Sequence, residues 1–520
     1  RDYYASRGLG DVYKRQISGI QLGHYSWFTS MDVDKGGNAW VGTVIDGFYV
    51  IDMHNFSVTR TLDIPLLSGN TVRNGIQSIY CDRENNSVWI GLYNQGMCYY
   101  HPSMNKIVLY NKKMINGDWK GEEIRCMLET SKGEILMGTT QGVYRYEPET
   151  KSMNRFYHEF SQKNCRVLYE DSKKRVWVGT YHDGLYCIDH GKVQSYDYPD
   201  TDYQNELDFS NIRVMVEDSS GRLWVSIYGG VGLFNPENGQ INLLSEQFPE
   251  LKKYKVANAL AIDNQSRLVV GSDNGLYIYD PATNKIWIPE EDGQANSIFN
   301  QGSIKYNQIL KDHEGTLWFA TQYGLSVLTY NGQSYTLGKE EGLSKAILNV
   351  VEDKNHDIWI STVTSIYKIK VDRRADKYSF HVISCLSEDE IRQDDLYSFP
   401  SLMTRDNQLF LGLMNGFIAF SPENMIDNQC LNRPLFTSFR LFNVPVVSGE
   451  IYNGRVLFDK ALSYSDEVQL KYDENYITLE FSGLNFPNPS QTSFRYQLEG
   501  FDKEWTETLF ENGQGRVVYN

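Results

Sequence analysis

The stretch YEDSKKRVWVGTYHDGLYCID, residues 169–189, carries the pattern that decides the fold. Asp171 closes one strand and caps a turn through its own backbone, and a strand centred on Trp177 follows. Gly184 then tolerates the φ > 0 of a tight hairpin, and an aromatic-rich strand leads out. Nine copies of this pattern occur, with anchors at Trp40, Trp89, Leu136, Trp177, Trp224, Val269, Trp318, Trp359 and Phe410. Their spacings run from 41 to 51 residues, which is the period of a propeller blade. Two residues past every anchor the side chain is Gly, Ala or Ser, so a neighbouring backbone or ring packs closely there.

The repeating unit is an inner strand, a turn, the anchor strand, a glycine hairpin, an aromatic strand and a more variable outer strand. That makes a four-stranded antiparallel blade. One blade cannot bury both its faces. Radial stacking places the anchor rings and small residues between sheets, and closing the ring removes exposed ends.

Composition agrees. Of 520 residues, 41% are hydrophobic and 22% charged, which excludes a disordered chain. The 36 Tyr, 24 Phe, 10 Trp and 42 Gly against only 14 Pro favour strands and tight turns, so the expected class is all-β. A net charge of −16 argues against general nucleic-acid binding. No run of about 18 apolar residues occurs, and the most apolar stretch, 409–420, is interrupted by Asn415. The seven Cys form no CxxC pair and no Cys/His cluster at zinc spacing, so neither a metal nor a cofactor is expected. Their pairing is left open. DVDKGG at 32–37 coincides with the repeat turn and lacks the later Glu of a calcium loop. HExxH, GxSxG, GxGxxG and P-loop patterns are missing; Glu129, Glu170, Glu217 and Glu352 recur with the repeat, whereas a glycosidase needs two unique carboxylates, so no enzyme is indicated.

The pattern ED-xx-G-x-LW-[IV]-G-T-xx-GL-x-x-Y resembles the two-component regulator propeller repeat of hybrid two-component sensors in Bacteroidetes-type bacteria, over roughly residues 26–434. After it, PLFTSFRLFNVPVVSGE and then QLKYDENYITLEFSGLNFPNPSQTSFRYQLEGFDKEW at 469–505 resemble the immunoglobulin-like triple-tyrosine (Y_Y_Y) domain of that family. In YITLEFSGL, Ile477, Leu479 and Phe481 alternate onto one face, as a half-buried sandwich strand requires. The resemblance implies a seven-bladed β-propeller at 118–434, the last two blades of a preceding propeller at 17–117, and an incomplete immunoglobulin-like sandwich at 435–520. Spacing alone also allows a different ring closure. Residues 1–16 match nothing later, and GLGDVYKRQ resembles translated sequencing-adapter read-through; 1–16 is read as a non-native leader on a fragment, with a genuine edge strand as the alternative.

Candidate binding residues follow from the repeat. Hairpins on one face carry Tyr181-His182-Asp183, Tyr228 and Gln322-Tyr323, and rings interleaved with amides suit saccharides. The bland alternative is that Tyr and Asn simply make good hairpins. Five residues before the closing Asp, or before Thr130 in the third copy, the inner strand has Thr29, Gln77, Arg125, Arg166, Arg213, Asn258, Asn307 and Leu348. Three successive arginines near one mouth suit bidentate binding of carboxylates or sulfates. The alternative is a structural network in which each pairs with an acidic neighbour such as Asp183. Trp119, in the loop leading to Arg125, is read as an exposed stacking ring or as a core residue between blades.

The family resemblance further implies a periplasmic sensor that binds a glycan-derived oligosaccharide, and the arginine trio would suit an acidic one. It also implies a homodimer formed through the full-length protein, a membrane helix and kinase downstream, and control of polysaccharide-utilisation genes. The rival readings are a protein-interaction propeller without a small ligand and a propeller polysaccharide lyase or hydrolase.

Overall fold

A computed structural model describes residues 27–60, 75–101, 108–198, 207–289, 304–343, 346–386, 400–425, 434–509 and 513–520, less positions 46, 84–85, 94–95, 113, 375–376, 466 and 485–491. The proposed leader at 1–16, part of the hairpin at 94–95 and Cys430 lie outside the described residues.

One compact unit spans Asn105–Met425 and contains seven antiparallel sheets, here blades I to VII. Their inner strands are Ile124–Glu129, Cys165–Glu170, Asp208–Glu217, Ala257–Ile262, Tyr306–Lys311, Asn349–Glu352 and Ser401–Met403. Each blade orders its strands from the inside outward as the sequence does, except VII. Its outer strand is Val108–Asn111, which pairs with Gly416–Phe420 and so draws chain from upstream of residue 118 into the ring. Asn116–Gly117 adds a fifth, parallel strand to blade I. Neighbouring inner strands touch in cyclic order, and the strand of blade I also touches that of blade VII, so the ring is closed.

Why the blades stack is visible at the anchors. Trp177 is fully buried in a cluster with Ile212, Met215 and Val225 of the next blade, and Trp224, Trp318 and Trp359 do the same toward blades IV, VI and VII. Phe410 of blade VII packs with Ile124, Ile135 and Tyr146 of blade I, closing the circle with apolar surface. The small residue two past the anchor is required by this contact: a Cβ on Gly179 would stand 2.5 Å from Val167 Cγ1 and 2.7 Å from Ile212 Cγ2.

The recurrent Asp does more than cap its turn. Asp171 Oδ1 accepts Arg175 N–H at 2.9 Å, and Oδ2 accepts the Trp177 indole N–H at 2.9 Å and Arg175 Nε–H at 2.7 Å. Asp218, Asp312 and Asp353 hold Trp224, Trp318 and Trp359 in the same way. A buried indole N–H needs a partner, and the carboxylate six residues upstream supplies it. The recurrent Glu has a structural role as well. Glu170 accepts Ser131 N–H and O–H at 2.7 Å each, and Glu217 accepts both groups of Ser172 at 2.6 and 2.7 Å. Each Glu thereby latches its blade to the turn of the preceding one. Glu129 accepts Arg405 N–H at 2.8 Å, so the same latch fastens blade VII to blade I.

Outside that unit, two further repeat sheets run over Phe28–Arg60 and Ile76–Tyr100. Downstream, Leu435–Leu441, Ile477–Ser482 and Gln514–Tyr519 form an antiparallel sheet with Val444–Pro445. Ile477 and Leu479 pack beside Phe439, Leu441 and Phe458, while Phe481 meets Phe494 and Val517, as the alternation of that strand requires. No described helix is long and apolar enough to cross a membrane.

Candidate functional site

The inner-strand column that carries the arginines proves to be a column of β-bulges. In blade I, Ile124 faces Thr139 and Cys126 faces Gly138, which leaves Arg125 as the extra residue. Arg166, Arg213, Asn258 and Asn307 are the extra residues of blades II to V, and Thr29 and Gln77 of the two upstream sheets. A bulge unpairs one residue and re-aims its side chain, which is how a strand otherwise committed to packing can present a polar group. Each bulge lies at the end of the blade that bears the glycine hairpin, so column and hairpins share one mouth of the ring.

Most bulge residues of the ring find polar partners, and one pair of them is bonded directly. Arg213 donates from Nη2 to Asn258 Oδ1 at 2.9 Å, Asn258 Nδ2 donates to Asp273 Oδ1 at 2.6 Å, and Asn307 Nδ2 donates to Ile347 O at 2.7 Å. Lys305 Nζ stands 3.3 Å from Asp273. Arg125 donates from Nε and Nη2 to Glu123 Oε2 at 3.2 and 2.9 Å. Asp183, the partner weighed for the arginines, pairs instead with Lys163 at 3.0 Å.

Arg166 differs from both neighbours. Its guanidinium carbon lies 4.4 Å from the centre of the Tyr181 ring, and among the described residues it has neither the carboxylate partner of Arg125 nor the amide partner of Arg213; its Nε, like that of Arg213, is buried without a hydrogen-bond partner. Burial pushes its pKa down to about 10, aided by the positive charges of Arg213 and Arg125. Burial also lowers Arg213, against the opposing pull of Asp273, Tyr181 and Tyr228. The mouth thus holds an under-compensated cation between two others, flanked by an aromatic face. A multivalent anion with a hydrophobic side would satisfy it.

Of the nine residues read from sequence, the structure gathers Arg125, Arg166, Arg213, Tyr181 and Tyr228 into this region. His182 lies tilted against Tyr181, with ring centres 4.0 Å apart, and stands 3.5 Å from buried Asp208. Gln322 and Tyr323 sit on the hairpin of blade V, where the Tyr323 ring is largely in solvent. Trp119 is corrected: it is fully buried in a cluster with Tyr144, Met153 and Phe410, and its Nε1–H donates to Glu122 O at 3.2 Å. It is a core residue and no surface for stacking. Sequence reasoning placed Asn258 and Asn307 in the arginine column and Asp273 on a hairpin of the same face without taking them as candidates, and it passed over Glu123. The two asparagines could have been taken with the arginines whose column they share.

A seven-sheet ring with two further repeat sheets and a downstream β-sheet region defines an all-β, propeller-built class of protein, and comparison with solved structures finds a similar fold. The extracellular domain of a putative hybrid two-component system from B. thetaiotaomicron superposes with a TM-score of 0.69 at 20% identity, covering 95% of this chain and 63% of that one. A second such domain, of a putative one-component system from the same organism, gives a TM-score of 0.48 at 21% identity over 98% of this chain and 67% of its own. A curated relative, histidine kinase P4 of Formosa agariphila, is 21% identical over 163 residues, which is 31% of this chain and 11% of the kinase. The chain therefore spans under two thirds of the first matched structure and about a tenth of the kinase. No protein-family model matches it.

Proposed function

We propose that this chain is the extracytoplasmic ligand-sensing region of a hybrid two-component system, and that the mouth of blades I to III binds an acidic, glycan-derived oligosaccharide. The observation that carries the reading is Arg166: a guanidinium stacked on Tyr181, with a buried Nε that lacks a partner, between Arg125 and Arg213. A sulfate or uronate would supply the missing acceptors, and a sugar ring would lie against the Tyr181 and Tyr228 rings. The fold shared with extracellular domains of two-component systems supports a sensing role and gives no reason to expect catalysis. On this reading the sensor is periplasmic and works as a homodimer. A rigid-body shift, passed through the downstream sheets to a membrane-linked kinase, would carry the signal and raise transcription of polysaccharide-utilisation genes.

The test is calorimetry of the chain against sulfated, uronic and neutral oligosaccharides. Saturable binding of the acidic ones, weakened by salt, is the expected result. Silence toward every saccharide would favour a protein-interaction propeller, and turnover of one would reveal an enzyme.

A further inference from the structure

The face opposite the mouth carries the turns that follow the inner strands, and there two histidines stand at turn positions whose residue type varies around the ring. The residue after the one that closes the inner strand is Ser131, Ser172 and Ser219 in blades I to III, Asn264 in IV, His313 in V, Lys354 in VI and Arg405 in VII. The left-handed turn position is Gly133, Gly221 and Gly315 in blades I, III and V, Lys174, Ser266 and Asn407 in II, IV and VII, and His356, with φ 64°, in VI. Both histidines converge on one carboxylate, the recurrent Glu352. Its Oε2 accepts His313 N–H at 2.9 Å, so the latch between blades is kept. Its Oε1 contacts His313 Nδ1 and lies 3.0 Å from His356 Nδ1. The two imidazoles stack with ring centres 3.5 Å apart.

We infer that His313, Glu352 and His356 form a divalent transition-metal site that clips blade V to blade VI. Two imidazole nitrogens and one carboxylate oxygen all lie within 4.8 Å of one another. In a tetrahedral zinc site with bonds of 2.0–2.1 Å, ligand atoms stand about 3.3 Å apart, so small rotations of these side chains suffice to admit the ion. The chemistry, two borderline-soft nitrogens with a hard oxygen, suits Zn²⁺ and its first-row neighbours better than Ca²⁺ or Mg²⁺. His356 is half exposed, leaving room for water as a fourth ligand. His313 Nε2 points toward Glu314, 3.9 Å away, and Glu314 is itself held by Tyr378 O–H at 3.1 Å, an outer carboxylate of the kind that orients ligating histidines. The three residues come from two repeats, 39 and 43 positions apart, so no spacing motif within one segment announces them.

The experiment titrates metal-free protein with Zn²⁺ by calorimetry and with Co²⁺ by visible absorption. One tetrahedral Co²⁺ spectrum per chain, Zn²⁺ competing for it, and a raised Tm are expected. His313→Ser installs the side chain that blade I uses to latch onto blade II, and His356→Gly installs the turn residue of blades I, III and V, so both variants should fold with an unchanged metal-free Tm. Losing a direct ligand should weaken binding by at least about a hundred-fold, beyond the effect typical of outer-shell partners. Absence of saturable binding would overturn the inference, as would binding that survives in the double variant.

Discussion

The two ends of the same blades use polar residues in opposite ways. At the turn end, carboxylate, indole and backbone N–H recur from blade to blade and satisfy one another. At the hairpin end, the bulge column changes identity around the ring, from three arginines to two asparagines, and leaves the Nε of Arg166 and of Arg213 without an acceptor. Polar groups that repeat with the architecture belong to it, and those that break the repeat are free to recognise something else. The histidine pair on the turn face is the same lesson at the other end.

The contrast is broken most severely by attacking the turn end. Trp177→Ala removes a ring that fills the gap between blades II and III and should cost about 3–5 kcal/mol in urea unfolding. Asp171→Ala strands the Trp177 indole and the Arg175 guanidinium and should cost a similar 3–5 kcal/mol. If either proves neutral, the turn carboxylates are not architecture. A smaller loss tests ring closure. Arg405 Nη1 and Nη2 donate to Ser131 O and Thr130 O at 3.0 and 2.9 Å, so Arg405→Ala should cost about 1–2 kcal/mol, while the backbone latch to Glu129 stays.

Acid offers a further probe. Burial raises the Asp218 pKa, but the Trp224 indole and the Arg222 and Ser220 donors outweigh it, and the net shift is downward. A carboxyl whose folded pKa lies below its unfolded value of about 3.9 stabilises fully above that pH and loses its contribution as pH falls through the folded pKa. Tm should hold through the neutral range and drop below about pH 4, and Asp218→Asn should flatten that drop while lowering Tm at neutral pH. A Tm independent of acid would contradict the assignment. The slightest effect is expected from thiol reagents. Burial raises the thiol pKa of Cys81 and Cys165 to about 12 and that of Cys187 to about 11. These thiols should stay unreactive at neutral pH until the protein is unfolded.

Much of this was legible in the sequence. Anchor, small residue and hairpin glycine each answer a local steric demand that recurs every blade, so periodicity exposes them. The arginine column was visible for the same reason. What the sequence could not show is where each side chain finds its partner. Trp119 and Trp177 are the same residue type, and only three-dimensional neighbours place both in the core. Val108–Asn111 joins blade VII across some 300 residues, which no local pattern encodes. Arg125, Arg166 and Arg213 occupy equivalent positions, yet one meets Glu123, one Asn258 and one the face of Tyr181. His313 and His356 meet because one repeat is laid beside the next.

The most direct measurement pairs affinity with stability for Arg166→Gln. Removing a half-buried, under-compensated charge should leave Tm unchanged or slightly raised, while affinity for an acidic oligosaccharide falls by at least about ten-fold, the loss of one charge-assisted contact. A large fall in Tm with affinity retained would make Arg166 a structural residue and move recognition away from the mouth of the ring.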